Sequence, residues 1–132
     1  MTFQEIVALH PVSPTPAREA LIRCAAECLD CTASCTACAD ANLSEPDSQH
    51  MTRSIRLCLD CADVCVATSR IAIRQTESDA GLFRAVVAAC ATACVTCAEE
   101  CERHAHHHEH CRICAETCRR CKDACDAVLA VL

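Results

Sequence analysis

Cysteines at helical spacing dominate this chain. Cys90, Cys94, Cys97 and Cys101 step by four, three and four residues, and Cys111, Cys114, Cys118, Cys121 and Cys125 by three, four, three and four. Cys24, Cys28, Cys31, Cys35 and Cys38 keep the same rhythm, as do Cys58, Cys61 and Cys65. Residues three and four apart share one face of an α-helix, so each run paints a stripe of thiols down one side of a helix. Such a stripe normally faces a core. Seventeen cysteines in 132 residues therefore predict an interior built from sulfur. Treating cysteine as a small core hydrophobe accounts for one or two positions and not for four stripes.

Thiolates are soft ligands that favour Cu(I), Zn(II) and iron–sulfur clusters. Six CxxC pairs occur, Cys28/Cys31, Cys35/Cys38, Cys58/Cys61, Cys94/Cys97, Cys111/Cys114 and Cys118/Cys121, and two sulfurs so spaced can converge on one metal without backbone movement. Structural zinc is bound by four ligands, usually as two close pairs joined by turns. The loop spacings typical of iron–sulfur ligation do not occur. Cu(I) accepts two or three thiolates and lets a sulfur bridge two metals, which suits continuous stripes. Charge points the same way: a dry core tolerates many thiolates only if each is neutralised. One monovalent ion per thiolate does so, which sets the expected load at roughly one Cu(I) per cysteine.

Between the last two stripes lies His104-Ala105-His106-His107-His108-Glu109-His110. His104 and His108 continue one seam and His107 the other, so these three are the expected imidazole ligands. His106, His110, His50 and His10 are expected to be solvated. Met51, on the seam of the second stripe, offers a thioether to Cu(I) and would serve equally well as packing.

Long helices must carry these stripes. One glycine and four prolines, three of them between Pro11 and Pro16, leave two uninterrupted windows, and strands find no support. Residues 1–13 read as a short amphipathic arm ending at Pro11. A helix capped by Thr15, with Pro16 in its first turn, should run to about Leu43. A second should span about Glu45 to Gln75, a third should start at the Ser78-Asp79 cap, and a fourth should end near Leu132. The turn between the last two must fall within the histidine run. The expected fold is all-α: an antiparallel up-down-up-down four-helix bundle over residues 14–132 with cysteines lining its core, plus the N-terminal helical arm. The second helix is apolar beyond its own seam, at Leu57, Leu59, Val64, Val66, Ile71 and Ile73. That surplus fits burial against another subunit or flanking contacts within one bundle.

Antiparallel order sorts the two ends. Asn42, His50, Met51 and the histidine run should gather at one. Ala17, Leu21, Thr68, Ile71, Ala72, Phe83, Val86, Val87, Val128 and Leu129 should plug the other.

A net charge of −6 argues against a nucleic-acid partner. The N-terminal stretch has no basic region and too short an apolar run for an export signal, and no stretch of transmembrane length is expected to follow. The expectation is a cytoplasmic protein with no membrane partner. There the odd count and same-face spacing favour thiols over disulfides.

Taken together, the CxxxCxxCxxxCxxC stripes and the His-rich turn resemble those of the bacterial copper storage proteins, most closely the cytosolic branch. The resemblance spans about Thr15 to Leu132 and rests on Cys24–Cys38, Cys58–Cys65, Cys90–Cys101, His104–His110 and Cys111–Cys125. It implies a bundle filled with many Cu(I) ions, association as a homotetramer, and storage or detoxification of cytosolic copper. Delivery by a copper donor or chaperone is an expectation that goes with it. No Glu-x-x-His pair of a di-iron bundle and no nucleophile with a fixed base is present, so an enzyme is not expected. The competing readings are a redox- or zinc-responsive thiol regulator and a metallothionein-like zinc buffer.

Overall fold

The computed structural model describes residues 2–132. A short helix, α1 (Thr2–Ala8), precedes four long ones: α2 (Arg18–Leu43), α3 (Thr52–Ile73), α4 (Ala80–His104) and α5 (Glu109–Leu129). The long helices pack as a square in which α2 and α4 each lie beside α3 and α5. This is the antiparallel four-helix bundle. Its longest member, α2, has 26 residues and spans about 39 Å.

Each helix buries its thiol stripe. All seventeen cysteines are buried and all are free thiols. The α2 stripe continues into Leu21 at one end and Asn42 at the other. That of α3 runs Met51, Ser54, Cys58, Cys61, Cys65, Thr68 and Ala72, all buried. Leu21, Phe83, Val87 and Val128 close the end farther from the histidine run, and α1 packs against α2 with Val7 buried.

Local boundaries correct three expectations. Thr15 does not cap α2 with its side chain: its carbonyl accepts from Arg18 N at 3.1 Å, and the Thr15–Ala17 turn delays the helix to Arg18. The second long helix does not begin near Glu45. Residues 44–51 form a loop with a single 3-10 turn at Ser48–His50, and from it Glu45 and Asp47 reach across to His108 in the other connection. The third correction concerns α4, which is long and apolar enough to cross a membrane by length and composition. Its apolar residues are mostly Ala, Val and Cys, and its cysteines are buried among the neighbouring helices.

Two connections follow sequence chemistry closely. Asp79 caps α4, accepting from Leu82 N at 2.8 Å. The turn between α4 and α5 falls at Ala105–His108, inside the histidine run. In the α3–α4 loop Glu77 takes the left-handed backbone, at φ 51°, a conformation costing roughly 1–2 kcal/mol for a residue with a Cβ.

Candidate metal centre

The four stripes meet on the bundle axis. From the plugged end, Cys24 lies 3.9 Å from Cys125, and Cys28 lies 3.6 Å from both Cys90 and Cys121. Cys65 links Cys90 and Cys94 at 3.8 and 4.0 Å. Cys31 touches Cys61 and Cys118 at 3.9 and 3.8 Å. Cys35 then reaches Cys118, Cys114 and Cys97 at 3.6, 3.8 and 3.9 Å. Cys58 joins Cys97 and Cys101 at 3.7 and 3.8 Å, and Cys38 lies 4.0 Å from Cys111. Even diagonal helices touch through sulfur, as at Cys28–Cys90 and Cys35–Cys97. The axis is a continuous column of thiols.

These spacings suit metal. Thiolate–metal bonds of about 2.3 Å place sulfurs about 3.8 Å apart around a tetrahedral ion and about 4.0 Å apart around a trigonal one. Cysteines assemble into four-sulfur groups along the column: Cys28/Cys90/Cys121/Cys125, Cys31/Cys65/Cys94/Cys121, Cys31/Cys35/Cys61/Cys118, Cys35/Cys97/Cys114/Cys118 and Cys38/Cys58/Cys101/Cys114. Cys121, Cys31, Cys35, Cys118 and Cys114 each belong to two groups. A shared thiolate must bridge metals if neighbouring groups fill together, and bridging thiolates with low-charge ions keep the buried column near neutrality.

Hydrogen bonds among the thiols already prepare some of them as ligands. Contacts from Cys125 and then Cys28 pull Cys24 down to about 5, despite its burial. The thiolate is the metal-binding form, so copper binding must release the remaining protons.

The end opposite the plug is polar and covered. Asn42, Met51 and Ser54 are fully buried there. Asn42 donates to Ser54 Oγ at 3.4 Å and accepts from the Cys111 thiol at 3.6 Å. Above them lie the loop 44–51 and the histidine turn. His108 is held on both ring nitrogens, with Nδ1 2.6 Å from Glu45 and Nε2 3.2 Å from Asp47. The hydrogen bond to His108 holds the Asp47 carboxyl below its ordinary range.

The other expected ligands divide. His104 is half-buried, its Nε2 3.3 Å from Glu100, a buried glutamate also flanked by Arg103 and Arg53. His107 is exposed, as are His106 and His50. His10 lies away from the histidine turn, bonded to Thr76 and to Val12 N. Met51 is brought to the end of the thiol column as the N-terminal cap residue of α3.

The histidine that meets the thiols is His110, which sequence reasoning placed in solvent. Its Nδ1 lies 3.3 Å from Cys38 Sγ and 3.7 Å from Cys111 Sγ. Extending the last seam back from Cys111 lands on His107, but α5 starts only at Glu109, so His107 is off the helix. Counting four back from Cys114 lands on His110, within the first turn.

Residues 17–130 match the family described as copper storage protein. The chain belongs to that family. It is a copper storage protein with an all-α, cysteine-lined bundle. It is also similar to solved structures of the copper storage protein Ccsp from Streptomyces lividans. One, loaded with 10 copper equivalents, shares 50% identity over 98% of this chain and 99% of that one, with a TM-score of 0.96. Another, a cytosolic copper storage protein with five coppers, shares 56% identity over 88% of this chain and 97% of that one, at 0.87. A variant of the same protein with two histidines replaced by alanine shares 55% identity over 87% of this chain and 97% of that one, at 0.86. No curated protein matches the chain.

Proposed function

We propose that this chain is a cytosolic store that fills its thiol column with Cu(I) to about one ion per cysteine, without catalysis. The observation that carries the reading is the column itself, in which buried thiols succeed one another at 3.6–4.0 Å along the bundle axis. An incoming ion exchanges one thiolate for the next without entering a gap. All seventeen cysteines act as ligands in this reading. His104, His107, His108 and Met51 serve uptake at the histidine end, and His110 joins them through its contacts with Cys38 and Cys111. Division into an arm, residues 1–13, and a bundle, residues 14–132, completes the description.

Support comes from solved structures of the similar Streptomyces lividans protein, one loaded with 10 copper equivalents and one, with five coppers, described as cytosolic. Homotetramer assembly is part of the reading, supported by Leu59 and Val66, which α3 exposes on its outer face. A copper donor or chaperone would supply the ion.

A zinc buffer is the second reading, favoured by the grouping of the cysteines in fours. Each zinc held by four unshared thiolates would bury two negative charges, whereas one Cu(I) per thiolate leaves none. A redox regulator would need an accessible thiol, and every cysteine here is buried. Metal analysis of protein expressed with copper and zinc both in excess separates these readings. Copper should dominate at many ions per chain; a preparation holding mainly zinc would overturn the storage reading.

A further inference from the structure

His110 carries an unfinished hydrogen-bond arrangement. Its Nδ1 faces Cys38 and Cys111, which are 4.0 Å apart, so imidazole and two thiolates can close around one Cu(I) as a three-donor site. Its Nε2 is buried and has no hydrogen-bond partner. The carboxylate nearest to it is Glu45, with Oε1 at 3.8 Å. The same carboxylate uses Oε2 to hold His108 Nδ1 at 2.6 Å, and the two imidazoles stack at 5.5 Å. One side chain from the 44–51 loop thus sits across both rings.

A neutral imidazole that gives one nitrogen to a metal carries its proton on the other. A buried N–H without an acceptor is costly, and metal-bound histidines normally donate that N–H to a carboxylate or carbonyl. We propose that Glu45 is the positioning residue of the copper-accepting site at the histidine end. As Cu(I) takes His110 Nδ1 between Cys38 and Cys111, the thiol protons leave to solvent and His110 Nε2–H closes onto Glu45 Oε1. Glu45 Oε2 keeps its contact with His108, so the ring is turned toward the thiols and fixed in one tautomer. The proposal rests on copper being taken up at this end.

A purely structural role for Glu45 would be to pin the loop through His108. Asp47 pins the same loop through the same ring at 3.2 Å without serving His110, so Asp47→Asn is the control. Stopped-flow uptake of Cu(I) from a weak chelator should be slowed about 10- to 100-fold by Glu45→Gln and distinctly less by Asp47→Asn, with final capacity equal in all three. Long-range 1H–15N spectra of the wild-type protein saturated with Cu(I) should show His110 protonated at Nε2, a readout that needs no variant to fold. Equal uptake rates for the two variants, or His110 protonated at Nδ1, would overturn the role of Glu45. If His110→Ala also leaves uptake unchanged, copper does not enter here, and the underlying reading fails instead.

Discussion

The two ends of the thiol column are closed by opposite means. At one, Leu21, Phe83, Val87 and Val128 fill the axis, so closure there comes from apolar burial. At the other, Asn42, Ser54 and Met51 are equally buried, yet the cover above them is an imidazole–carboxylate cluster between two connections. Aliphatic packing offers a metal ion no donor and costs several kcal/mol to disrupt. A hydrogen-bonded cover supplies donors on its inner surface and can exchange partners one at a time. The same bundle thus has one end suited to stability and one suited to passage.

The largest expected effect lies at the apolar end. Leu21→Ala should cost the copper-free protein about 2–5 kcal/mol by urea denaturation and leave the Cu(I) uptake rate unchanged. Slower uptake in that variant would mean that the apolar end is also a route. Next is the polar collar. Asn42→Ala removes partners of both Ser54 and Cys111 and should destabilise by about 1–3 kcal/mol in the same assay.

The histidine end should separate rate from capacity. Replacing His104, His107 and His108 together is expected to slow uptake with capacity nearly unchanged, and His110→Ala alone should slow it more than His107→Ala alone. If His107→Ala has the larger effect, the contacts of His110 with Cys38 and Cys111 are not those that receive copper.

The smallest effect is electrostatic and appears in acid. His108 holds the Asp47 carboxyl below its usual range, so that interaction stabilises the fold above the unfolded value, about 3.9. It is lost as pH falls through the lower folded value. Copper-free wild type and Asp47→Asn should therefore differ slightly at pH 5 and converge toward pH 2; a gap that widens in acid would contradict the assignment.

How legible these ends were depended on which forces set them. The thiol stripes and the apolar plug obey helical periodicity: every cysteine lies inside, as do Leu21, Thr68, Ala72, Phe83, Val87 and Val128, while Val86 and Leu129 are half-buried against that core. The Asp79 cap was legible because its partner, Leu82 N, is three residues away. The start of α3 was not: the pattern put it near Glu45, whereas Glu45 and Asp47 pair with His108, 61 positions from Asp47. His110 was hidden for a related reason. Extrapolating a seam assumes the helix continues, and a turn containing neither glycine nor proline gave no sign of where α5 begins. Periodicity predicts what a helix buries and says little about which side chains two loops exchange.

The central claim is that the column between these ends holds copper along its whole length. Titrating the reduced, copper-free protein with Cu(I) against a competing chelator tests it most directly. Strong binding should continue to about one ion per cysteine. Saturation at one or two ions per chain would contradict it.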